Sequence, residues 1–123
     1  MLSLSVLPNS LAISRLSPSL PIPSWAIESE FFSITKTGEE LSIVCPEEKV
    51  PENVRSERGW RALKVEGPLD FSLTGILSSL LKPLADAEVS IFALSTYDTD
   101  YLLVKKENLD RTIEILSRFC KIF

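Results

Sequence analysis

Histidine is absent from this sequence of 123 residues, and cysteine occurs only twice. Histidine is the commonest general base, the usual partner of a catalytic serine or cysteine, and a frequent metal ligand. Cys45 and Cys120 fit no metal-ligand spacing, so we expect both to be reduced and buried, with a disulfide or a catalytic thiol as the alternative. These absences argue against most hydrolase mechanisms and predict a protein without catalytic activity, bound metal or cofactor.

The sequence also lacks an excess of basic residues and a long hydrophobic run. Its 13 Lys and Arg against 17 Asp and Glu give a net charge of −4, which disfavours proteins that bind nucleic acid through its phosphates. Residues 1–8 contain neither a basic n-region nor a stretch long enough to span a membrane. We therefore expect a cytoplasmic protein that binds neither nucleic acid nor a membrane.

Glycine is scarce, with 4 residues, and glycine and proline together number only twelve, whereas hydrophobic residues make up 45% of the chain. No window is of low complexity, so intrinsic disorder is not expected. A chain of this length and apolar fraction can form one compact domain or two small modules that share a core. The composition therefore predicts a single globular unit.

The strongest secondary-structure pattern begins at Arg61. Residues 62–67 alternate between apolar and polar and end at a Gly-Pro pair, which indicates a half-buried strand. Over residues 72–84 the apolar side chains recur at every third or fourth position, as on the buried face of a helix. We expect Pro83 to kink or end this helix near its last turn.

A hairpin and a second helix follow. Residues 89–95 and 101–104 are rich in β-branched and aromatic side chains, and the polar stretch 96–100 connects them. Asn108 is a predicted N-cap for an amphipathic helix whose apolar stripe runs to Cys120. The order strand, helix, strand, strand, helix lacks only the last strand of a βαββαβ ferredoxin-like sandwich, and the chain ends before that strand appears.

The N-terminal half carries a weaker copy of the same pattern. Residues 11–16 alternate like a strand, and a second hairpin is predicted within residues 31–45. A shift of 60 residues along the chain sets Val44 on Val104 and aligns the two hairpins without a gap. The sequence therefore predicts an internal repeat.

The first repeat is shortened, because prolines occupy the positions where its helices would lie. Residues 17–26 allow a loop and one short helical turn, and residues 46–51 allow little more than a turn before a linker at 52–58. We therefore predict a trimmed repeat over residues 1–57 and a complete one over residues 58–123.

Two motifs in the C-terminal half resemble signatures of the ACT domain family. They are D-F-S-x-x-G-I at residues 70–76 and S-T-Y-x-x-D at residues 95–100. The similarity covers residues 59–105 and includes the small bacterial tandem-ACT proteins and the ACT repeats of the animal cytosolic arginine sensor. It implies an α+β, ferredoxin-like βαββαβ fold in two tandem ACT-like repeats. It also implies pairing into a homodimer and a small effector, often an amino acid, held between units.

The resemblance locates effector contacts at the strand-to-helix turn, residues 72–76. The hairpin residues are expected near the same helix N-terminus, because the ends of the strands would bring their hydroxyls and carboxylates there. A strand-to-helix turn offers free backbone N–H groups to a carboxylate, and Gly75 allows a ligand to approach the backbone closely. Asp100 is the predicted acceptor for the ammonium group of an amino acid. The predicted ligand-binding residues are Asp70, Phe71, Ser72, Leu73, Thr74, Gly75, Ile76, Ser95, Thr96, Tyr97, Asp98 and Asp100.

Each of these residues has an ordinary structural alternative. Asp70, Ser72 and Thr74 can simply cap the helix, and the Asp and Thr residues of the hairpin are common in turns. Trp25 and Trp60 could line a ligand pocket, but we expect both in the core.

The implied function is that of a non-catalytic regulatory protein, in which a bound effector changes contact with an enzyme or a regulatory partner. The alternative is a ligand-free module for oligomerisation or protein interaction. A hard-cation site fits less well, because the hairpin carboxylates have no third ligand at a suitable spacing and no Gly-rich phosphate loop accompanies them.

Overall fold

The computed structural model describes residues 2–66 and 75–123. The chain divides into two compact units, a terminal unit made of Met1–Pro8 and Arg61–Phe123 and an inserted unit made of Asn9–Trp60. The strands and α-helices, in chain order, are β1 (Leu2–Val6), β2 (Leu11–Leu16), β3 (Ser33–Lys36), β4 (Leu41–Pro46), β5 (Ser56–Val65), α1 (Ile76–Asp86), β6 (Ile91–Ser95), β7 (Asp100–Lys105), α2 (Leu109–Leu116) and β8 (Cys120–Ile122).

The terminal unit has the sheet order β6, β7, β5, β1, β8. Strand β1 runs antiparallel to β5, with Leu4 opposite Val65, and parallel to β8, with Leu2 opposite Cys120. Strands β6 and β7 form the predicted hairpin. The sheet and the two α-helices give an α+β, ferredoxin-like arrangement, as the sequence predicts.

The core of the terminal unit lies between the sheet and the helices. Leu80 and Leu84 of α1 and Leu116 of α2 are fully buried against apolar side chains of the strands. The strand residues in this cluster include Leu4, Leu63, Val65, Leu102 and Val104. Alternate residues of each strand point to this side, so the apolar–polar alternation of the sequence is satisfied.

The inserted unit is built on β4, which pairs with β2 on one side and β3 on the other. Strand β2 also pairs with the first half of β5, where Ser14 lies opposite Ser56. A separate apolar cluster includes Ile43 and Cys45 of β4. A short 3₁₀ turn, Ser24–Ile27, lies between β2 and β3 and confirms the short helical turn expected in the proline-containing segment.

The expectation that the chain ends before a last strand is wrong, because Cys120–Ile122 form β8. Cys120 therefore lies on a strand and not on α2, which ends at Leu116. The compact units also differ from the predicted repeats 1–57 and 58–123, because β1 pairs with β5 and β8 of the terminal unit. Pairing between strands distant in sequence leaves no local pattern from which this division could be predicted.

Helix α1 continues for a further three residues after Pro83, so the proline does not end it. Pro83 removes one N–H donor from the helix, yet the helix continues to Asp86. The predicted start of this helix at residue 72 lies outside the described residues, and the helix begins at Ile76 in the part that is described. The predicted linker 52–58 is shorter than expected, since β5 already starts at Ser56.

Asn108 occupies the predicted N-cap position of α2, although its side chain makes no capping hydrogen bond. Cys45 and Cys120 are both free and buried, as expected. Trp60 is buried, and Trp25 packs in a half-buried position against the cluster of the inserted unit. The two tryptophans therefore contribute to packing, which confirms that prediction.

Candidate functional site

The hairpin turn between β6 and β7 brings part of the second motif together. Ser95 lies opposite Asp100 at the end of the ladder. The Ser95 hydroxyl donates a hydrogen bond of 2.5 Å to Oδ1 of Asp100, whose side chain is half-buried. A carboxylate has about four acceptor positions, so Asp100 keeps capacity for a further donor such as an ammonium group.

Thr96 and Thr99 close this turn. The backbone N–H of Thr96 donates to the carbonyl of Thr99 at 2.8 Å, and the N–H of Thr99 donates to Oγ1 of Thr96 at 3.3 Å. Tyr97 and Asp98 form the tip, where Tyr97 is 81% exposed. The turn therefore directs Ser95 and Asp100 toward one another and leaves Tyr97 and Asp98 at the surface.

Thr99 is a positioning residue that the sequence prediction missed. Its side chain is buried, and its hydroxyl donates a hydrogen bond to the carbonyl of Val65, the last residue of β5. This bond holds the hairpin beside the exit of β5, where the chain leads toward α1. Threonine at both ends of the four-residue turn is a pattern from which the turn could be predicted. The pattern does not indicate that Thr99 contacts Val65.

The first motif is described only at its end. Asp70, Phe71, Ser72, Leu73 and Thr74 lie outside the described residues. Gly75 is exposed and precedes α1 with φ of +76°, a left-handed conformation that favours glycine.

Ile76 is half-buried and starts the helix. Among the described residues, a Cβ at position 75 would meet the Ser78 Oγ at 3.9 Å, an ordinary van der Waals distance. The positive φ is therefore the reason that the described structure gives for the glycine. The N-cap of α1 is thus a glycine, which has no side chain to cap the helix.

The described part of the hairpin supplies a carboxylate acceptor and hydroxyls. Within residues 2–66 and 75–123, no group of three or more Asp, Glu, Cys or His side chains could hold a metal ion. Burial raises the pKa of the Cys45 thiol, against a smaller lowering by Arg58, and burial also raises the pKa of Cys120. Both thiols therefore stay protonated at neutral pH and are weak nucleophiles.

Comparison with protein families identifies two matching regions. A model of the ACT domain matches residues 55–118. A second model, of an N-terminal domain, matches residues 9–53. The boundary between the two matches falls close to the end of the inserted unit at Trp60.

Individual relatives agree with these matches. The human protein CASTOR3P is 38% identical and aligns with 85% of this chain and 75% of its own length. The cytosolic arginine sensor for mTORC1 subunit 1 of Bos taurus is 34% identical over 76% of this chain, which spans only 32% of that sensor. A crystal structure of a protein from Agobacterium tumefaciens has a TM-score of 0.94 and 41% identity, covering 99% of this chain and 92% of that one.

Proposed function

We propose that this chain, which belongs to the ACT domain family, is a non-catalytic regulatory protein that binds a free amino acid or a similar small effector in the cytoplasm. The observation that carries the proposal is the half-buried carboxylate of Asp100, held by Ser95 beside the strand that leads to α1. The relationship to proteins named as arginine sensors favours amino acids as the class of effector.

In the proposed complex, Asp100 accepts hydrogen bonds from the ammonium group of the effector. The backbone N–H groups at the start of α1 and the hydroxyls of Ser72 or Thr74 donate to its carboxylate. Ser95 and Thr96 supply further hydroxyls near the ammonium. Asp70, Phe71 and Leu73 stay in the proposed contact set with Gly75 and Ile76, as the family resemblance implies.

Tyr97 and Asp98 have a different place in the proposal. They lie on the exposed tip of the hairpin turn, with Tyr97 81% accessible. Tyr97 and Asp98 contact a small effector most readily when they belong to a second chain. The hairpin tip of that chain then lies beside Asp100 of the first chain. We therefore propose that the effector is bound between two copies of the chain and alters contact with an enzyme or regulatory partner.

A thermal-shift screen against the twenty amino acids, with arginine as the first probe, tests the proposal. At about one hundred times its dissociation constant, a ligand that binds only the folded state adds roughly 2.7 kcal/mol of stability. We expect a selective rise in Tm for one chemical class. No rise with any amino acid, from a chain shown to be folded, would contradict the proposal.

Asp100→Asn is the variant that tests the assigned contact. The amide keeps an acceptor for Ser95 but removes the negative charge that pairs with the ammonium, so binding should weaken by at least about tenfold. Asp110→Asn, on the exposed side of α2, is the matched control and should bind normally. Equal binding by both variants would remove Asp100 from the site while leaving effector binding itself intact.

The second candidate is a ligand-free interaction module. The specific observation in its favour is that the Asp100 carboxylate has a partner within its own chain, since the Ser95 hydroxyl donates a hydrogen bond to it. A flat screen from a chain that nevertheless self-associates would favour this candidate over the effector-binding one.

A further inference from the structure

Exposed hydrophobic side chains gather in the connection between β2 and β3, residues 17–32. Of the seven large hydrophobic side chains that are exposed in the described part of the chain, four belong to this connection: Leu20, Ile22, Ile27 and Phe32. Connections longer than about 12–15 residues that hold little regular structure are uncommon in compact domains and are often functional. This connection exceeds that length and contains one short 3₁₀ turn, Ser24–Ile27. We call the four side chains the connection surface.

The first part of the connection surface has little conformational freedom. Leu20 and Ile22 each precede a proline, and a residue in that position is restricted to extended or polyproline II conformations. Pro23 has φ of −70° and ψ of 149°, which is the polyproline II conformation. Residues 20–23 therefore present two apolar side chains on a backbone that loses little entropy when a partner binds.

The 3₁₀ turn brings the second part of the connection surface next to the first. The N–H of Ala26 donates to the carbonyl of Pro23 at 3.1 Å, so the chain turns back between Ile22 and Ile27. Ala26 is fully buried in the cluster of the inserted unit and Trp25 packs against that cluster, which anchors the turn. Ile22 and Ile27, on either side of this anchor, are each 53% exposed.

The charges beside these side chains are all of one sign. Residues 17–35 contain two charged side chains, Glu28 and Glu30, and both are exposed. Glu28 directly follows Ile27, and Glu30 lies two residues before Phe32. An apolar surface edged by carboxylates is complementary to a surface that combines apolar side chains with basic ones.

We propose that the connection surface is a docking site for a partner protein, which contributes an extended segment of alternating apolar and basic side chains. The apolar side chains of that segment cover Leu20, Ile22 and Ile27. Its Lys or Arg side chains pair with Glu28 and Glu30. The connection surface belongs to the inserted unit, whereas Ser95 and Asp100 belong to the terminal unit, so the proposal does not rest on effector binding.

Other occupants fit the connection surface less well. A second copy of the chain, related by a two-fold axis, brings Glu28 and Glu30 of both copies into one interface, to which the connection contributes no Lys or Arg. Like charges at an interface are unfavourable, so the surface disfavours pairing with itself. An anionic membrane is repelled by the same carboxylates.

A designed peptide tests the proposal without the natural partner. The probe is a fluorescently labelled peptide of about eight residues that alternates leucine and arginine, long enough to lie along an extended segment. Fluorescence anisotropy with the full chain, in the absence of amino acids, should show saturable binding. Glutamate in place of arginine, or serine in place of leucine, should raise the dissociation constant of the peptide by at least about tenfold.

Charge reversal on the chain is the decisive variant. Glu28→Lys combined with Glu30→Lys should weaken binding of the arginine peptide by at least about tenfold and should favour the glutamate peptide instead. Glu107→Lys combined with Glu114→Lys makes the same change in net charge at exposed positions of the terminal unit. This control should keep the preference of the wild type.

The apolar contact is tested separately. Ile22→Ser combined with Ile27→Ser removes two exposed side chains without changing the charge and should weaken binding of the arginine peptide by at least about tenfold. Phe123→Ser, at an exposed position of the terminal unit, is the control and should bind normally. Far-UV circular dichroism of each variant separates loss of binding from loss of folding.

Three results would overturn the proposal. The first is a wild-type chain that does not bind the arginine peptide at concentrations up to about 1 mM. The second is a Glu28 and Glu30 variant that keeps the preference of its control. The third is a wild-type chain that self-associates through Ile22 and Ile27 and binds no peptide, which would assign the connection surface to a second copy.

Discussion

The buried hydroxyl of Thr99 joins two segments that are 34 residues apart in the sequence. It reaches the carbonyl of Val65 at the point where β5 ends. A backbone carbonyl at the last position of a strand has fewer partners available than one within the ladder, so a side chain that satisfies it is worth more than an average surface hydrogen bond. Thr99 thus adds a side-chain bond to the pairing of β7 with β5, which together hold the hairpin that carries Ser95 and Asp100.

Replacing Thr99 with valine should lower the free energy of unfolding by about 1–3 kcal/mol, because the isosteric side chain leaves the buried carbonyl without its donor. Urea denaturation monitored by circular dichroism measures the change. Thr35→Val, at an exposed position on β3, is the control and should change stability by less than about 0.5 kcal/mol. A Thr99 variant as stable as this control would show that the hydroxyl does not contribute.

At the scale of single elements, the two hairpins show what can be predicted from the sequence and what cannot. The shift of 60 residues is wrong by one residue. Both turns are closed in the same way, by Thr37 N–H to the Glu40 carbonyl and Thr96 N–H to the Thr99 carbonyl, which requires a shift of 59. The 3₁₀ turns Glu47–Lys49 and Lys106–Asn108 follow the same shift.

A shift of one residue exchanges the two faces of a strand. In the correct alignment Cys45 corresponds to Val104, and both belong to the core clusters of their units. The shift of 60 pairs Val44 with Val104, because it was chosen from identical or similar residues at five positions and not from the burial of their side chains. The existence of the repeat of hairpins could therefore be predicted from sequence, whereas its register needed the hydrogen bonds of the turns.

Helix α1 carries its own prediction. Pro83 has no N–H, so the carbonyl of Ser79 lacks the hydrogen bond that the fourth following residue would supply. Pro83→Ala should restore this bond and raise the free energy of unfolding by about 1 kcal/mol or more. The gain is reduced by an opposing effect, because without proline the unfolded chain has more conformational entropy. Urea denaturation at one fixed protein concentration measures it. A loss of stability would instead show that the packing of the Pro83 ring stabilises the helix by more than the missing hydrogen bond destabilises it.

At the scale of the whole molecule, the elements with a clear local periodicity were predictable, whereas β1, β8 and the assembly of the sheet were not. The second half of β5, the β6–β7 hairpin and α2 follow from local periodicity, since each pattern needs only neighbouring residues. The place of β1 between β5 and β8 depends on pairing across more than fifty residues, which no local pattern encodes. For the candidate site, the hairpin was predicted but the pairing of Ser95 with Asp100 was not, because Asp100 was expected in the connection and instead begins β7. The roles of residues 70–74 stay a prediction.

Hydrogen exchange on two matched variants tests the division into units. Leu4→Ala and Ile43→Ala each remove a fully buried side chain and should cost about 2–5 kcal/mol. We expect the Leu4 variant to lower the protection of β7 and α2 more than that of β4, and the Ile43 variant to do the reverse. Equal losses throughout the chain in both variants would mean that the two units unfold as one.

The pairing of β1 with β5 also determines how this protein can be remodelled. The Leu7 N–H donates to the Ala62 carbonyl at 2.9 Å, and Arg61 donates to the Leu7 carbonyl at 3.0 Å. The chain therefore leaves the terminal unit and returns to it at one place. Strand β5 itself crosses the division between the units, because its residues 56–60 belong to the inserted unit and its residues 61–65 to the terminal unit. A shortened chain in which a tight turn joins Pro8 to Arg61 would therefore lose the first half of β5 and keep the half that pairs with β1.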